Sequence, residues 1–263
     1  MCGIAGAFTA TRESRVPAVV ARLTEALRHR GPDGESFFAD TLPRATRCSR
    51  ADLPVSAAVA LGHRRLSIVD LATGDQPIAN ENGSVWVTYN GELYNHLELR
   101  RELETLGHRF ATRADTEVLV HGWEEWGVEL FPRLNGIFAF ALIDRRHGIT
   151  VLVRDPLGVK PLFLGVSGGL TWWASELGAA RAAGLVAGDV SQEALKLYLL
   201  FRFIPSPASI HPHTWKLPPG HYIAMRAEDA GREPTFTRFH TAIRATAAPR
   251  DQDEWRDALV STL

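Results

Sequence analysis

Four short apolar runs lie close together in the second half of the sequence, and their spacing limits how the chain can fold. The runs are Ile137–Ile143, Ile149–Val153, Leu162–Val166 and Leu170–Ala174. Turn-forming residues such as His147-Gly148 and Gly168-Gly169 separate them. Parallel strands would need a crossover of about a dozen or more residues between neighbours. The sequence therefore predicts antiparallel hairpins in this region.

The first half of the chain alternates further strand-like runs with helical patterns. Short apolar runs predict strands at residues 3–8, 36–39, 57–62, 65–69 and 85–89. Apolar residues at helical spacing predict a helix over residues 16–29, one carrying Leu99 and Leu103, and one carrying Leu119 and Trp123. Gly107 and Gly127 are expected to end the last two. Two antiparallel strand groups separated by helices indicate an α+β domain with its sheets stacked inside.

Composition argues against several classes of function. The 263 residues carry a net charge of −1 without a long run of like charge, so neither a nucleic-acid nor a membrane partner is expected. No stretch approaches the ~18 apolar residues of a membrane span, and no signal sequence is recognisable, which favours a cytoplasmic protein. Two cysteines and ten scattered histidines predict neither a disulfide framework nor a metal site.

Cysteine directly follows the initiator methionine, in the opening Met1-Cys2-Gly3-Ile4. Removal of Met1, which is usual before a small residue, would place a thiol and a free α-amine on Cys2. An α-amine titrates near pH ~8 and a thiol near ~8.5, so proton transfer between them costs little free energy. Cys2 can also be read as a small apolar residue at the start of an edge strand.

Several motifs, taken in chain order with Cys2, resemble the class II glutamine amidotransferases, and among them the glutaminase domain of asparagine synthetases. They are Arg30-Gly31-Pro32-Asp33-Gly34, Gly62-His63-Arg64-Arg65-Leu66-Ser67-Ile68-Val69-Asp70, Tyr89-Asn90-Gly91-Glu92-Leu93-Tyr94-Asn95-His96, Arg113-Ala114-Asp115-Thr116-Glu117, Arg154-Asp155-Pro156-Leu157-Gly158-Val159-Lys160-Pro161-Leu162 and Ala174-Ser175-Glu176. The resemblance covers most of the chain. It implies a four-layer αββα sandwich of two antiparallel sheets, the N-terminal-nucleophile hydrolase fold.

The resemblance also implies a catalytic apparatus that agrees with the chemistry of amide hydrolysis. Cys2 would be the nucleophile and its α-amine the base. The Asn90 side-chain amide and the Gly91 backbone N–H would stabilise the oxyanion. Taken alone, Asn90-Gly91 is instead typical of a hairpin turn at the end of the predicted strand.

Recognition of L-glutamine is implied at a second group of residues. Arg65 would bind the α-carboxylate, and the acidic Glu92 and Asp115 would hold the α-ammonium group. The backbone of four residues would line the same pocket, namely Leu66, Ser67, Ile68 and Val69. Asp115 can also serve as a helix cap. The histidines His63 and His96 are expected to be structural, because an N-terminal cysteine needs no other base.

Asparagine synthetases of this type carry a second, ATP-dependent domain that amidates aspartate. We predict a glutaminase domain over residues 1–225, and over residues 226–263 a linker and the start of such a synthetase domain. ATP and Mg²⁺ are expected only in that further domain, supplied in cis or in trans, and no cofactor is expected here. The segment Ser167-Gly168-Gly169-Leu170 lacks the rest of a pyrophosphate loop and is interpreted as a turn.

Three further interpretations remain open at the level of sequence. The domain could serve an acceptor other than aspartate, or it could be a non-catalytic regulatory module of the same fold. It could also hydrolyse other amides, in which case Arg65 would not be needed. A homodimer is possible.

Overall fold

The computed structural model describes residues 1–41, 47–66, 74–186, 188–240 and residue 256. The secondary-structure elements of this part of the chain are β1 (Gly3–Glu13), α1 (Arg15–Ala26), β2 (Gly34–Ala39), β3 (Ala57–Arg65), β4 (Ile78–Ala79), β5 (Val85–Leu93), α2 (His96–Thr105), α3 (Glu117–Trp126), β6 (Gly136–Asp144), β7 (Ile149–Arg154), β8 (Phe163–Ser167), β9 (Leu170–Ala174), α4 (Leu177–Ala182), α5 (Gln192–Phe201), β10 (Thr214–Lys216), β11 (His221–Met225) and β12 (Thr237–Arg238). Short 3-10 helices cover Gly127–Arg133 and Ala227–Asp229.

The strands form two six-stranded antiparallel sheets. The first sheet has the order β10-β8-β9-β1-β3-β2, and the second has the order β12-β11-β7-β6-β5-β4. The pairs β6-β7 and β8-β9 are the hairpins that the four closely spaced apolar runs predict. Hence the antiparallel arrangement expected from the spacing is confirmed.

The two sheets are stacked, and helices cover both outer faces. Helices α1 and α4 pack on the first sheet, for example through Leu23, Ala180 and Trp172. Helices α2 and α3 pack on the second sheet. Between the sheets, the rings of Phe38 and Trp86 stack with their centroids 4.3 Å apart. The predicted α+β class and four-layer αββα sandwich are therefore confirmed.

Glycine ends both helices of the second outer layer as predicted. Helix α2 is followed by Gly107 with φ +102°, and helix α3 by Gly127 with φ +54°. These are left-handed backbone conformations, which glycine adopts without a steric penalty. Helix α1, in contrast, ends at Ala26, before the predicted residue 29.

The alternative interpretation of Asn90-Gly91 as a hairpin turn is wrong, because strand β5 continues through both residues to Leu93 and remains paired with β6. The strand predicted over residues 65–69 starts at the last residue of β3, and residues 67–69 lie outside the described part of the chain. The boundary between residues 225 and 226 stays a prediction. Among the described residues, no helix combines the length and hydropathy needed to cross a bilayer.

Candidate active site

A cleft of about 360 Å³ opens where the two sheets meet near the start of β1. Strand β4 pairs only with Trp86 and Val87 of β5, so the second half of β5 has an open edge on the side away from β6. Seven of the residues predicted from sequence line this cleft, and they are Cys2, Arg65, Leu66, Asn90, Gly91, Glu92 and Asp115. The other three, Ser67, Ile68 and Val69, lie outside the described residues.

Cys2 is half-buried at the entrance to β1, beside the end of β3. Its Sγ atom lies 3.8 Å from the Leu66 carbonyl oxygen. Met1 lines the same cleft, and its side chain is exposed. A free α-amine on Cys2 therefore requires that Met1 be removed.

A buried arginine fixes the backbone at Cys2, and the sequence analysis assigned it no role. Arg30 Nε donates to the Cys2 carbonyl oxygen at 3.0 Å, and Arg30 Nη1 pairs with Glu176 Oε1 at 2.7 Å. Ser175, the residue before Glu176, accepts a hydrogen bond from Ile4 N at 3.0 Å. The motifs that contain Arg30 and Ser175-Glu176 were part of the resemblance. Only the tertiary structure shows that these residues hold the N-terminal strand.

Glycine is required at position 91 by close packing against the neighbouring strand. A Cβ atom on Gly91 would lie 2.3 Å from the Ile137 carbonyl oxygen and 2.7 Å from the Phe138 Cα atom. Both distances are much shorter than a normal van der Waals contact between these atoms. The residue is therefore glycine because of its approach to β6, and a turn conformation plays no part.

The hydrogen bonding of β5 indicates where the Gly91 N–H points. Along one antiparallel strand, alternate residues direct their N–H and C=O groups to opposite edges. Phe138, opposite Gly91, directs both its N–H and its C=O to Asp155. On the open edge of β5, Tyr89 N donates to Gln76 Oε1 at 2.6 Å and Leu93 N to Asp115 Oδ2 at 2.9 Å. By alternation, the Gly91 N–H faces the same edge, which is the cleft.

Asn90 supplies a second donor beside this N–H. Its parity along β5 places its side chain on the face that packs towards the first sheet, together with Trp86. Asn90 is only 2% exposed, and its Nδ2 has no hydrogen-bond partner among the residues that the structure describes. Buried donors are rarely left unpaired, so this amide is suited to a ligand oxygen.

Three of the predicted charged residues, Arg65, Glu92 and Asp115, also line the cleft. Arg65 Nη1 contacts Asp75 Oδ1 at 2.6 Å, which helps to fix the guanidinium group. Asp115 Oδ2 accepts from Tyr89 Oη at 3.0 Å as well as from Leu93 N, so its carboxylate ties the start of α3 to β5. Thr116 precedes α3 as its N-terminal cap. Glu92 is exposed.

Two histidines, His63 and His96, also line the cleft. His63 is buried, and burial lowers its pKa to about 3. The ring is therefore neutral at neutral pH. His96 Nδ1 lies 2.8 Å from the Leu93 carbonyl oxygen, to which it donates. Gln76 and Lys160 also line the cleft, and the sequence analysis gave neither a role; Lys160 belongs to a motif of the resemblance, whereas Gln76 belongs to none.

Comparisons with known proteins identify the family of this chain. The family model described as "Glutamine amidotransferase domain" matches residues 1–237. Asparagine synthetase (glutamine-hydrolyzing) 1 of Bacillus subtilis is 31% identical over 273 aligned residues, covering 100% of this chain and 39% of the relative. A putative asparagine synthetase (glutamine-hydrolyzing) of Mycobacterium tuberculosis is 33% identical, and the alignment covers 97% of this chain and 40% of the relative.

A solved structure supports the fold. Glutamine phosphoribosylpyrophosphate amidotransferase of Bacillus subtilis superposes with a TM-score of 0.66 and 23% identity, over 92% of this chain and 50% of that chain. The chain belongs to the glutamine amidotransferase domain family. Its sequence relatives named above are asparagine synthetases, and it spans about 40% of their length.

Proposed function

We propose that this chain hydrolyses the side-chain amide of L-glutamine to glutamate and ammonia, with Cys2 as the nucleophile. The observation that carries the proposal is the meeting, in one cleft, of a cysteine at the start of β1 with two donors from β5. The Asn90 Nδ2, which has no hydrogen-bond partner among the described residues, and the Gly91 N–H that faces the cleft support the proposal, because an oxyanion needs such donors.

The chemistry follows from these groups once Met1 is removed. The Cys2 α-amine takes the thiol proton, and the thiolate attacks the side-chain carbonyl carbon of glutamine. Asn90 and Gly91 donate to the oxyanion, and each such donor contributes roughly 3–4 kcal/mol. The Cys2 α-ammonium group formed in this way then protonates the departing amide nitrogen. Ammonia leaves, and a γ-glutamyl thioester remains on Cys2. Water, deprotonated by the same amine, hydrolyses the thioester and regenerates the thiol.

Binding of free glutamine is assigned to the charged residues of the cleft. Arg65 would pair with the α-carboxylate through its planar fork of donors. Asp115 and Glu92 would hold the α-ammonium group; a carboxylate has about four lone-pair sites, so Asp115 can bind it while it also contacts β5. The assignment of the backbone of residues 66–69 to the same pocket rests on the resemblance.

A pair of cysteine variants tests the nucleophile. Glutamate production should be lost in Cys2→Ala and retained in Cys48→Ala. Cys48 is a matched control, because its thiol is less reactive. Burial and, to a smaller extent, the nearby Asp52 carboxylate raise the pKa of this thiol to about 11. A thiol-reactive glutamine analogue should label Cys2 alone, as read by peptide mass spectrometry. Turnover that persists in Cys2→Ala, or intact mass showing that Met1 is retained in active protein, would refute the mechanism.

The two halves of the site should separate kinetically. Asn90→Ala should lower kcat by about 10²–10³-fold, the usual cost of one oxyanion donor. Arg65→Lys should chiefly raise KM, because an ammonium group cannot replace a bidentate fork. If Arg65→Lys left KM for glutamine unchanged, a hydrolase for other amides would be the better interpretation.

We also propose that the ammonia serves an ATP-dependent synthetase domain that amidates aspartate, in cis or in trans, with ATP and Mg²⁺ bound there. The relatives named glutamine-hydrolyzing asparagine synthetases, of which this chain spans about 40%, support this proposal. Helix α5 offers a surface for such a domain, since it buries only Ala194 while Leu199 and Leu200 are each 73% exposed.

The product of the whole gene tests this coupling. With ATP, Mg²⁺, aspartate and glutamine it should form asparagine. The Cys2→Ala variant should do so only when ammonia replaces glutamine. Ammonia-dependent ATP consumption without asparagine would indicate a different acceptor.

A further inference from the structure

Outside the cleft, four side chains with metal-binding atoms meet beside helix α3 in the second helical layer. They are Glu81, His108, His121 and Glu124, and their ligand atoms all lie within 4.8 Å of one another. Glu81 lies between β4 and β5, His108 follows α2, and His121 and Glu124 share one face of α3. Three separate parts of the fold therefore contribute to this cluster.

The central ligand is a buried histidine with one ring nitrogen directed into the cluster. The His121 side chain is 0% exposed, and its Nδ1 makes no hydrogen bond to a described residue. Glu81 Oε2 and Glu124 Oε2 lie 3.5 Å and 3.9 Å from this nitrogen. Such a buried polar atom calls for a partner, and two carboxylates on one side of it make that partner a cation.

The opposite side of the His121 ring is held as in known metal sites. Its Nε2 lies 3.5 Å from Glu117 Oε1, to which it donates. The Glu117 carboxylate is fixed in turn by hydrogen bonds from Ala111 N and Thr112 N, both at 2.7 Å. A carboxylate that accepts from one imidazole nitrogen fixes the tautomer and leaves the other nitrogen as a ligand.

Contacts with neighbouring residues also orient the other three ligands. Glu81 Oε1 accepts from Arg109 N at 2.8 Å, and Glu124 Oε1 pairs with Arg146 Nη1 at 2.9 Å. In both residues the second oxygen is the one near His121. The fourth ligand, His108, has Nε2 3.4 Å from Glu125 Oε2. The ligands are thus positioned by surrounding residues before any ion binds.

We propose that these four residues bind a divalent transition-metal ion of the zinc type. Imidazole together with carboxylate suits Zn²⁺, whereas Mg²⁺ and Ca²⁺ prefer shells of oxygen alone. Tetrahedral bonds of ~2.0–2.1 Å place ligand atoms about 3.3–3.4 Å apart. The four ligand atoms, now within 4.8 Å of one another, would each move by less than about 1 Å to reach this geometry. Four protein ligands make the site structural, and it joins the β4–β5 turn, the α2–α3 connection and α3.

Metal titration of the whole protein tests the proposal. After removal of metal with a chelator, the chain should bind one Zn²⁺, as measured by calorimetry. Cobalt should give the visible absorption of a tetrahedral site with nitrogen and oxygen ligands, without the intense near-ultraviolet band of a thiolate ligand. Absence of binding, or a thiolate band, would overturn the proposal.

Variants locate the ion. Glu81→Gln and His108→Gln should each weaken Zn²⁺ binding on the order of 100-fold or more, because even partners outside the ligand set change affinity by about 10–100-fold. Both lie outside the core, so folding should be preserved. The matched controls Glu104→Gln and His211→Gln should bind normally, and so should Cys2→Ala. Binding that survives Glu81→Gln and His108→Gln, or that disappears in Cys2→Ala, would place the ion elsewhere and refute the site.

Discussion

The buried His63 should make the stability of this protein fall as the pH drops through the range where an exposed histidine titrates. Burial lowers the pKa of His63 to about 3 in the folded chain, against 6.5 for the unperturbed side chain. Between these values the unfolded chain binds a proton that the folded chain does not. Since the unfolded state then holds more protons, the free energy of unfolding rises with pH across this window and is lost as pH falls.

The size of the effect follows from the same two values. Between pH 7.5 and pH 5.0, His63 should reduce the free energy of unfolding by about 2 kcal/mol, since one pKa unit corresponds to about 1.4 kcal/mol. Replacement by leucine removes the titrating group. The free energy of unfolding of wild type minus that of His63→Leu should therefore fall by about 2 kcal/mol on going from pH 7.5 to pH 5.0.

Urea unfolding of both proteins at the two pH values measures this difference, in which the contributions of the other titrating groups cancel. Ile143→Val is the control, because it removes a buried methyl group and no proton site. It should cost about 0.5–1.5 kcal/mol, equally at both pH values. A wild-type minus His63→Leu difference that is the same at pH 7.5 and pH 5.0 would show that His63 is not held neutral by burial.

Three further predictions concern other parts of the structure. Burial raises the pKa of Asp144, but hydrogen bonds from His147, Trp123 and Arg146 outweigh it and lower the pKa to about 2 from 3.8. The stability that Asp144 contributes should be present above pH ~4 and largely lost towards pH 2. The free energy of unfolding of wild type minus that of Asp144→Asn should therefore be about 2 kcal/mol smaller at pH 2 than at pH 6. Gly91→Ala should separate β5 from β6 and lower both the melting temperature and kcat, because its Cβ would lie 2.3 Å from the Ile137 oxygen; unchanged values would contradict the close approach. Arg30→Gln should lower kcat by about tenfold or more while KM stays within about twofold, because Arg30 holds the Cys2 carbonyl and is not among the described residues that line the cleft; a change in KM alone would exclude this positioning role.

Local patterns were sufficient to predict most of the framework. The closely spaced runs between residues 137 and 174 allow only short antiparallel connections, and Gly107 and Gly127 end their helices through left-handed backbone conformations. The site was predicted from the order of its motifs, and the described members of that set line one cleft. The pattern failed at Asn90-Gly91, where pairing with β6 keeps the strand extended and local turn preference is overridden.

The sequence by itself determined the antiparallel two-sheet class and was sufficient to predict Cys2, Asn90 and Arg65 as site residues. Those depend on periodicity and on motifs whose residues are neighbours along the chain. Only the tertiary structure decided that the Gly91 N–H faces the cleft and that Arg30 and Glu176 hold the Cys2 backbone. It alone brought Glu81 and His108 to the buried His121. These relations depend on strand register and layer packing between distant segments, for which no local pattern carries a signal.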